Sequence, residues 1–562
     1  AQPRVHVVHG ETKGGLGLAY VRGFAWAEEN GYEFVVEMDA DGSHPAERLA
    51  AILDAVTCSS PGIGLVVGSR WIEGGSVVNW PLRRQWFSRA ANGYARRVLR
   101  VPVADITAGF RAYPLAAATT AANGINSRGY SFQIEMAMRV HNAGLSILEV
   151  PIEFREREAG YSKMSGGVVF EAMARVTMWA FGLRLREWRW PLIGGTLIWL
   201  FARVLITGIG YVSTAIHNPA VLAQRNLFSL LYYWDSSYLG AIARYGYFSK
   251  SSSPNWEAFF PGYPLVSRAI ANVIDPQGPS VAEITMSMWI VTLIASLAVG
   301  PMVWRLVHDR FGTRVAAIAT FLVLVGPYSL FLAASYAEAL FLAAALAAWL
   351  CATRQHWLAA GLFAAIASTV RPNGLFLSAA IVVVCLVTAR SSGSRINIRH
   401  ILATCVGFLG TAAYFLYLYA NTGSVVAWVN AQSHWGRSLQ WPWLTLYQTA
   451  GRVLYASTLD RRIQFGLDIV FAIILVGAIV IFARRRAWAE VTYLGLTALS
   501  LMTSFTYMSL ARNTVELFPI AVAVATLSVN PRRQWIVVAW GVAGVLLLAF
   551  NTWQFAGGLW AD

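Results

Sequence analysis

The rhythm of apolar positions changes near residue 190. Before it, short apolar runs alternate with amphipathic stretches; after it, apolar runs reach the length of a bilayer crossing. In the first part, residues 5–8, 34–38 and 65–70 read as strands, and 14–30, 45–56 and 83–99 read as helices, with Ser43 as a candidate cap for the second. Strands alternating with helices predict an α/β domain built on a largely parallel sheet. Ligands of such sheets sit at the carboxyl ends of the strands. Asp39, Asp41 and Arg70 fall there.

The second part predicts an α-helical polytopic membrane domain. About eleven apolar runs approach the roughly 20 residues that a spanning helix needs. They cover 191–213, 282–304, 314–333, 335–353, 357–370, 374–389, 401–420, 465–483, 489–509, 514–529 and 534–553. The runs 357–370 and 374–389 are short, and a re-entrant pair is the other reading for them. Every second loop is short and Arg-rich: Arg305, Arg310 and Arg314; Arg354; Arg390, Arg395 and Arg399; Arg484 to Arg486; Arg532 and Arg533. The positive-inside rule then places the first domain in the cytoplasm, the long loops 214–281 and 421–464 outside, and the C-terminus outside. The domain boundary falls at 185–192.

Composition supports this division. The 562 residues are 56% hydrophobic and 13% charged, against about 25% charged in a soluble protein. The net charge of +15 does not point to nucleic acid, because much of the Arg sits in the short loops between spans. Cys58, Cys351, Cys385 and Cys405 have no CxxC spacing and read as small apolar residues rather than a metal or disulfide set.

Candidate chemistry lies in both parts. Asp39-Ala40-Asp41 ends an apolar strand. Two carboxylates there suit Mg²⁺ or Mn²⁺ that also holds a diphosphate, which suggests a nucleotide-sugar transferase. In the outer loop 214–281, Asp235 follows a Tyr-Tyr-Trp run beside a span, and a carboxylate so placed can deprotonate a sugar hydroxyl. Glu338, Arg371, His434 and Arg512 gather on the same predicted side. Arg203, within the first span, reads either as buried near a lipid phosphate or as snorkelling.

Seven ordered segments, GGLGLAYVRGF (14–24), VVEMDADGSHP (35–45), VVGSRW (66–71), VVNWPLRRQWFSR (77–89), DITAGFRAY (105–113), GYSFQIEM (129–136) and SKMSGG (162–167), cover residues 1–185. In these the chain resembles polyprenol-phosphate (dolichol-phosphate) mannose synthases of glycosyltransferase family 2. The resemblance implies a GT-A fold, with Asp39 and Asp41 holding the metal on the diphosphate of GDP-mannose. It implies that Arg70, Arg84 and Ser88 meet the phosphate of polyprenyl phosphate, that Arg111 and Gln133 line the site, and that Lys163 closes over the donor. Ser43 stands where some relatives have Gln and receives no ligand role. The acceptor oxygens are already anionic near neutral pH, since the second phosphate pKa is about 6. Arg forks and a metal therefore suffice, without a general base. Relatives begin with a strand, an Asn-Glu turn and an Asp-rich base-binding loop. None precedes Ala1, so the GT-A domain is expected to be incomplete at its N-terminus and to bind GDP-mannose poorly.

Over about 190–530, YWDSSYLGAIARYGY, FFPGYPL, SYAEALF, TVRPNGLF, AQSHW and ARNTVELFP resemble the GPI second-mannosyltransferase family and its bacterial relatives. These are GT-C membrane transferases that use lipid-phosphate mannose. The resemblance implies Asp235 as base or acceptor-positioning residue. Charge assigns Arg371 and Arg512 to the donor phosphate, and Glu338 and His434 to sugar or acceptor. An Arg clamp on a single phosphate needs no metal. The expected protein is a relay: synthesis of polyprenyl-phosphate mannose inside, then mannosyl transfer outside. The alternatives are a synthase, for mannose or glucose, carrying a non-catalytic anchor or lipid flippase, and a transporter. A transporter predicts paired ionisable residues at mid-span, and few are found apart from Arg203.

Overall fold

The computed structural model describes residues 5–10, 15–58, 62–125, 127, 129, 131–156, 166–224, 226–393 and 395–559. Backbone contacts divide the chain into two units, Ala1–Glu187 and Trp188–Asp562.

In the first unit, α1 (Leu16–Glu29), β1 (Phe34–Glu37), α2 (Leu49–Thr57), β2 (Ile63–Ser69), β3 (Ser76–Val78) and α3 (Leu82–Leu99) are followed by β4 (Arg111–Pro114), α4 (Leu115–Ala122), α5 (Ser131–Asn142), β5 (Ser146–Pro151) and β6 (Glu153–Arg155). The main sheet has the order β1-β4-β2-β5. Leu65, Val66 and Val67 of β2 are fully buried at its centre, as an apolar run covered on both faces requires. β2 and β5 are parallel, but β4 runs antiparallel between β1 and β2. The sheet is therefore mixed rather than largely parallel. β4 has only four residues and begins with Arg, so no apolar pattern marks it. Its register sets Arg111 opposite Glu37, two residues before Asp39.

Two further expectations change. Residues 5–8 form no strand: Val5, Val7 and Val8 are exposed and pair with nothing among the described residues. Ser43 caps no helix, because its hydroxyl donates to Asp41 Oδ1 at 2.6 Å. The segment 45–56 instead opens as a 3-10 turn, Ala46–Arg48, before α2.

The second unit is helical. α6 (Gly166–His217), which begins in the first unit, is followed by α7 (Pro219–Gln224), α8 (Asp235–Tyr245), α9 (Gly262–Ile274), α10 (Val281–Leu324), α11 (Glu338–Thr353), α12 (Trp357–Val370) and α13 (Asn373–Ser391). Then come α14 (Ile398–Cys405), α15 (Leu409–Thr422), α16 (Ala427–His434), α17 (Pro442–Tyr455), α18 (Leu459–Arg484), α19 (Trp488–Met502), α20 (Leu510–Asn513), α21 (Phe518–Thr526) and α22 (Gln534–Ala556). Small residues bring two long helices together. A Cβ on Gly195 of α6 would stand 2.5 Å from the backbone of Pro301 in α10, so only glycine permits that approach.

Among the described residues, six helices are long and apolar enough to cross a membrane, or seven if one bent pair counts as a span. The eleven predicted runs map onto these unevenly. Runs 282–304 and 314–333 meet within α10 across Gly312, whose φ of 78° breaks the helix. The runs 335–353, 357–370 and 489–509 yield helices of 16, 14 and 15 residues. The run 514–529 belongs to a pair of helices bent by 72°.

Candidate functional sites

The first site lies where β1 and β2 end. Asp39 is exposed and Asp41 half-buried. Asp41 Oδ1 accepts from the backbone N–H and hydroxyl of Ser43, which closes a tight turn. The Asp39 N–H donates to His44 Nδ1 at 2.9 Å. Burial lowers the His44 pKa, while Asp39 and Asp41 oppose that shift. Among the described residues no three His, Cys, Asp or Glu side chains gather as a metal cage. The donor set still fits Mg²⁺ or Mn²⁺, which bind through one or two carboxylates and complete their shell with phosphate oxygens and water.

The predicted arginines separate into two kinds. Arg84 and Ser88 lie one turn apart on α3 and share a face. Arg84 packs over Trp80 at 4.0 Å and pairs with Glu156 at 2.7 Å. That pair is partly exposed and worth about 0–1 kcal/mol, so a phosphate can replace it. Arg70 is different: it is buried, and its Nε and Nη2 form a fork on Asp105 at 2.6 and 2.7 Å. Thr107 accepts from Arg70 and from Asn92 of α3, tying the strand end to the helix. The structure thus ties the Arg70 guanidinium to the loop that follows α3.

Arg111 is likewise held inside the protein. It is 0% exposed and donates to the carbonyls of Ala108, Gln133 and Ile106, each at 2.7 Å. Gln133 is also buried and donates to Glu37 Oε2 at 2.9 Å. Both residues are buried and are joined to Glu37 at the end of β1 by its ladder with β4 and by the Gln133 hydrogen bond. Burial pushes the Glu37 carboxyl up to about 7, against the opposing pull of Arg111 and the Gln133 hydrogen bond. Lys163 lies outside the described residues.

The second site is an ion cluster in the helical unit. Arg512 Nη1 contacts Asp235 Oδ2 at 2.9 Å, and its Nε and Nη2 both reach Glu338 Oε1, at 2.6 and 2.5 Å. Arg371 meets the same Glu338 oxygen at 2.5 Å. Arg371 Nε stands 2.8 Å from Glu516 Oε1, an ion pair without hydrogen-bond alignment. Asn373 bridges Asn513 and Glu516 at 3.2 and 2.9 Å. Asp235 opens α8, Glu338 opens α11, Arg371 ends α12, and Arg512 lies on the four-residue α20. The charges therefore meet where helices end.

Two aromatic contacts fix the mouth of this cluster. The Tyr336 hydroxyl donates to Tyr233 O at 3.0 Å and accepts from the Asp235 N–H at 3.3 Å. The Arg512 guanidinium lies over the Phe331 and Tyr336 rings at 4.4 and 4.6 Å. His434 is exposed at the end of α16 and makes none of the cluster's contacts. Arg203 pairs with no acid among the described residues and donates to Ala333 O, Leu332 O and Ser296 Oγ at 3.0, 2.8 and 2.6 Å. Sequence reading missed Glu516, Asn513, Asn373 and Tyr336 as site residues. Each lies inside or beside a motif that already held a candidate, and Glu516 carried the clearest signal, an acid at the head of an apolar run.

The description Glycosyl transferase family 2 matches residues 1–119. A polyprenol monophosphomannose synthase of Mycolicibacterium smegmatis is 49% identical over 183 residues, 32% of this chain and 68% of the relative. An undecaprenyl-phosphate mannosyltransferase of Micrococcus luteus is 50% identical over 185 residues, 32% of this chain and 74% of the relative. An oligosaccharyltransferase of Archaeoglobus fulgidus in its apo form covers 65% of this chain and 56% of its own at 12% identity, with a TM-score of 0.34. An archaeal oligosaccharyltransferase of the same organism, with an inhibitory peptide and a dolichol-phosphate, covers 64% and 56% at 13% identity and 0.32. This chain thus spans about half the length of those two structures. Both scores lie below the level at which a common fold is read.

Proposed function

The chain belongs to glycosyl transferase family 2 and is a glycosyltransferase; from that premise we propose that its first unit moves mannose from GDP-mannose to polyprenyl phosphate. A lipid phosphate oxygen attacks the anomeric carbon, the new C–O bond forms, and the bond to the GDP oxygen breaks. Asp39 and Asp41 would hold a divalent cation, which would neutralise charge on the diphosphate. The α3 face bearing Arg84 and Ser88 receives the acceptor phosphate. Arg70, Arg111 and Gln133 keep the strand ends rigid around that space.

The second unit acts on the lipid-linked product. The observation that carries this reading is the chain of charges Asp235–Arg512–Glu338–Arg371–Glu516. Two arginines are pre-positioned for a single phosphate, and Asp235 is poised beside one of them. A donor phosphate draws Arg512 away from Asp235. The carboxylate then loses its cationic partner and accepts the proton of an acceptor hydroxyl. An anchor has no use for such a buried cluster. A transporter would place its pairs at mid-span, whereas these stand at helix ends. In the proposed orientation the first unit is cytoplasmic and the cluster extracytoplasmic.

Membranes carrying the full chain are given labelled GDP-mannose and polyprenyl phosphate. In wild type, label passes through lipid-phosphate mannose to a further product. In Asp235→Asn it accumulates on the lipid. Onward transfer at an unchanged rate in that variant would falsify the role of Asp235 and favour an anchor or flippase.

A further inference from the structure

Asp468 is the only charged residue between Arg462 and Arg484, and the helix that carries it, α18, is long and apolar enough to cross a membrane. Charge inside a spanning segment is costly and is retained where function needs it. Asp468 is fully buried, and its Oδ1 accepts the Ala511 N–H at 2.8 Å. Ala511 precedes Arg512, the arginine that joins Asp235 to Glu338.

The shape of the backbone explains why that bond matters. The chain after α19 does not continue as one helix. It turns at Ser509, whose φ is 63°, and forms the four-residue α20. The segments Leu510–Glu516 and Phe518–Val529 then meet at 72°. Broken backbone at membrane depth has to find its hydrogen-bond partners within the protein. Side chains of α17 and α18 supply them. Thr445 donates to Ser504 O at 2.6 Å, Thr449 accepts the Tyr507 N–H at 3.0 Å, and Asp468 takes the Ala511 N–H. An N–H in the first turn has no acceptor in its own helix, so this bond sets how α20 is turned about its axis. The direction of Arg512 follows. Its guanidinium reaches Asp235 of α8 and Glu338 of α11 at once and lies over the Phe331 and Tyr336 rings. A hydroxyl could satisfy the same N–H. A carboxylate makes a bond roughly twice as strong, which holds the backbone still while the Arg512 side chain exchanges Asp235 for a phosphate.

We propose that Asp468 is a positioning residue of the second unit: through the Ala511 N–H it orients α20 so that Arg512 meets the donor phosphate. This rests on the reading of Arg512 as a ligand of that phosphate.

Membranes carrying the full chain are given labelled polyprenyl-phosphate mannose, and onward transfer is followed against its concentration. Asp468→Ala should raise the KM for the lipid by about tenfold, the scale of one hydrogen bond to a charged group, with a smaller change in kcat. Asp468→Leu, of similar volume to the native residue, takes its place if the alanine variant does not fold. Asp468→Asn keeps an oxygen acceptor and should restore most of the loss. Arg512→Gln should raise KM at least as far. Adding Asp468→Ala to it should change little more, because a residue that acts through Arg512 then has nothing to position. Thr449→Val removes a bond of the same broken segment outside α20; it should lower the thermal midpoint and leave KM within about twofold of wild type. Hydrogen exchange of residues 507–513 in nanodiscs reads the bond without catalysis, and should be faster in Asp468→Ala than in wild type or Asp468→Asn. Additive effects in the double variant, an asparagine variant as impaired as the alanine one, or wild-type KM and exchange in Asp468→Ala each overturn the proposal. If Arg512→Gln and Asp468→Ala both lower kcat and leave KM unchanged, the positioning stands and the donor-phosphate reading fails. Wild-type transfer by Arg512→Gln overturns both.

Discussion

Glu338 is fully buried, and two arginines converge on its Oε1. Its Oε2 has no hydrogen-bond partner among the described residues. Removing this acid leaves Arg371 with Glu516, and Arg512 with Asp235, but takes away the centre of the chain. Breaking a buried pair costs about 3–5 kcal/mol, so Glu338→Leu should lower the thermal midpoint of the detergent-solubilised chain sharply. A midpoint equal to wild type would show that the cluster is solvated rather than buried. At the first site, Arg70 and Arg111 show how a residue type can be legible while its bonding partners are not. Both are arginines of a recognisable motif, yet their forks close on Asp105 and on backbone carbonyls. Which partner an Arg finds depends on β4, whose position no sequence pattern marked.

Between elements, close approach and burial decide more than propensity does. The contact of α6 and α10 at Gly195 leaves no room for a methyl group. Gly195→Ala should cost about 1–3 kcal/mol through overpacking, read as a lower unfolding temperature and faster proteolysis; an unaltered unfolding curve would mean that the helices slide apart freely. In the sheet, β1 ends on Glu37, whose carboxyl is raised from 4.5 to about 7 by burial. A raised acid favours the folded state in its neutral form. Its stabilisation is therefore complete below about pH 4.5 and is lost as pH rises towards 7, by at most about 3 kcal/mol. Amide protection of β1, corrected for intrinsic exchange, should fall between pH 5 and 8 in wild type. It should stay level in Glu37→Gln, and an equal fall in the variant would assign the effect to another group. The amphipathic rhythm placed α1, α3 and the ends of β1 and β2 well. It failed at residues 5–8, where apolar residues alone do not make a strand without a neighbour to pair with.

For the whole molecule, the proposed relay would raise the local concentration of the lipid that its two units share. Asp39→Ala should stop label before lipid-phosphate mannose forms, and added lipid-phosphate mannose should restore onward transfer; failure of that rescue would show that the second unit has no activity of its own. The change of apolar rhythm, the Asp39-Ala40-Asp41 turn and the identities of Asp235, Glu338, Arg371 and Arg512 were all readable in the sequence, because periodicity and residue chemistry are local properties. Their common side was readable too, but the pairing of those four side chains was not. Arg512 and Asp235 stand 277 positions apart in the chain, and their contact exists only because α8, α11, α12 and α20 end at one place. The same holds for the insertion of β4, the burial of Arg111 and the recruitment of Glu516. Sequence specified which groups can carry charge or accept a proton, whereas tertiary packing decided which of them meet, since desolvation and pairing depend on neighbours brought from distant segments.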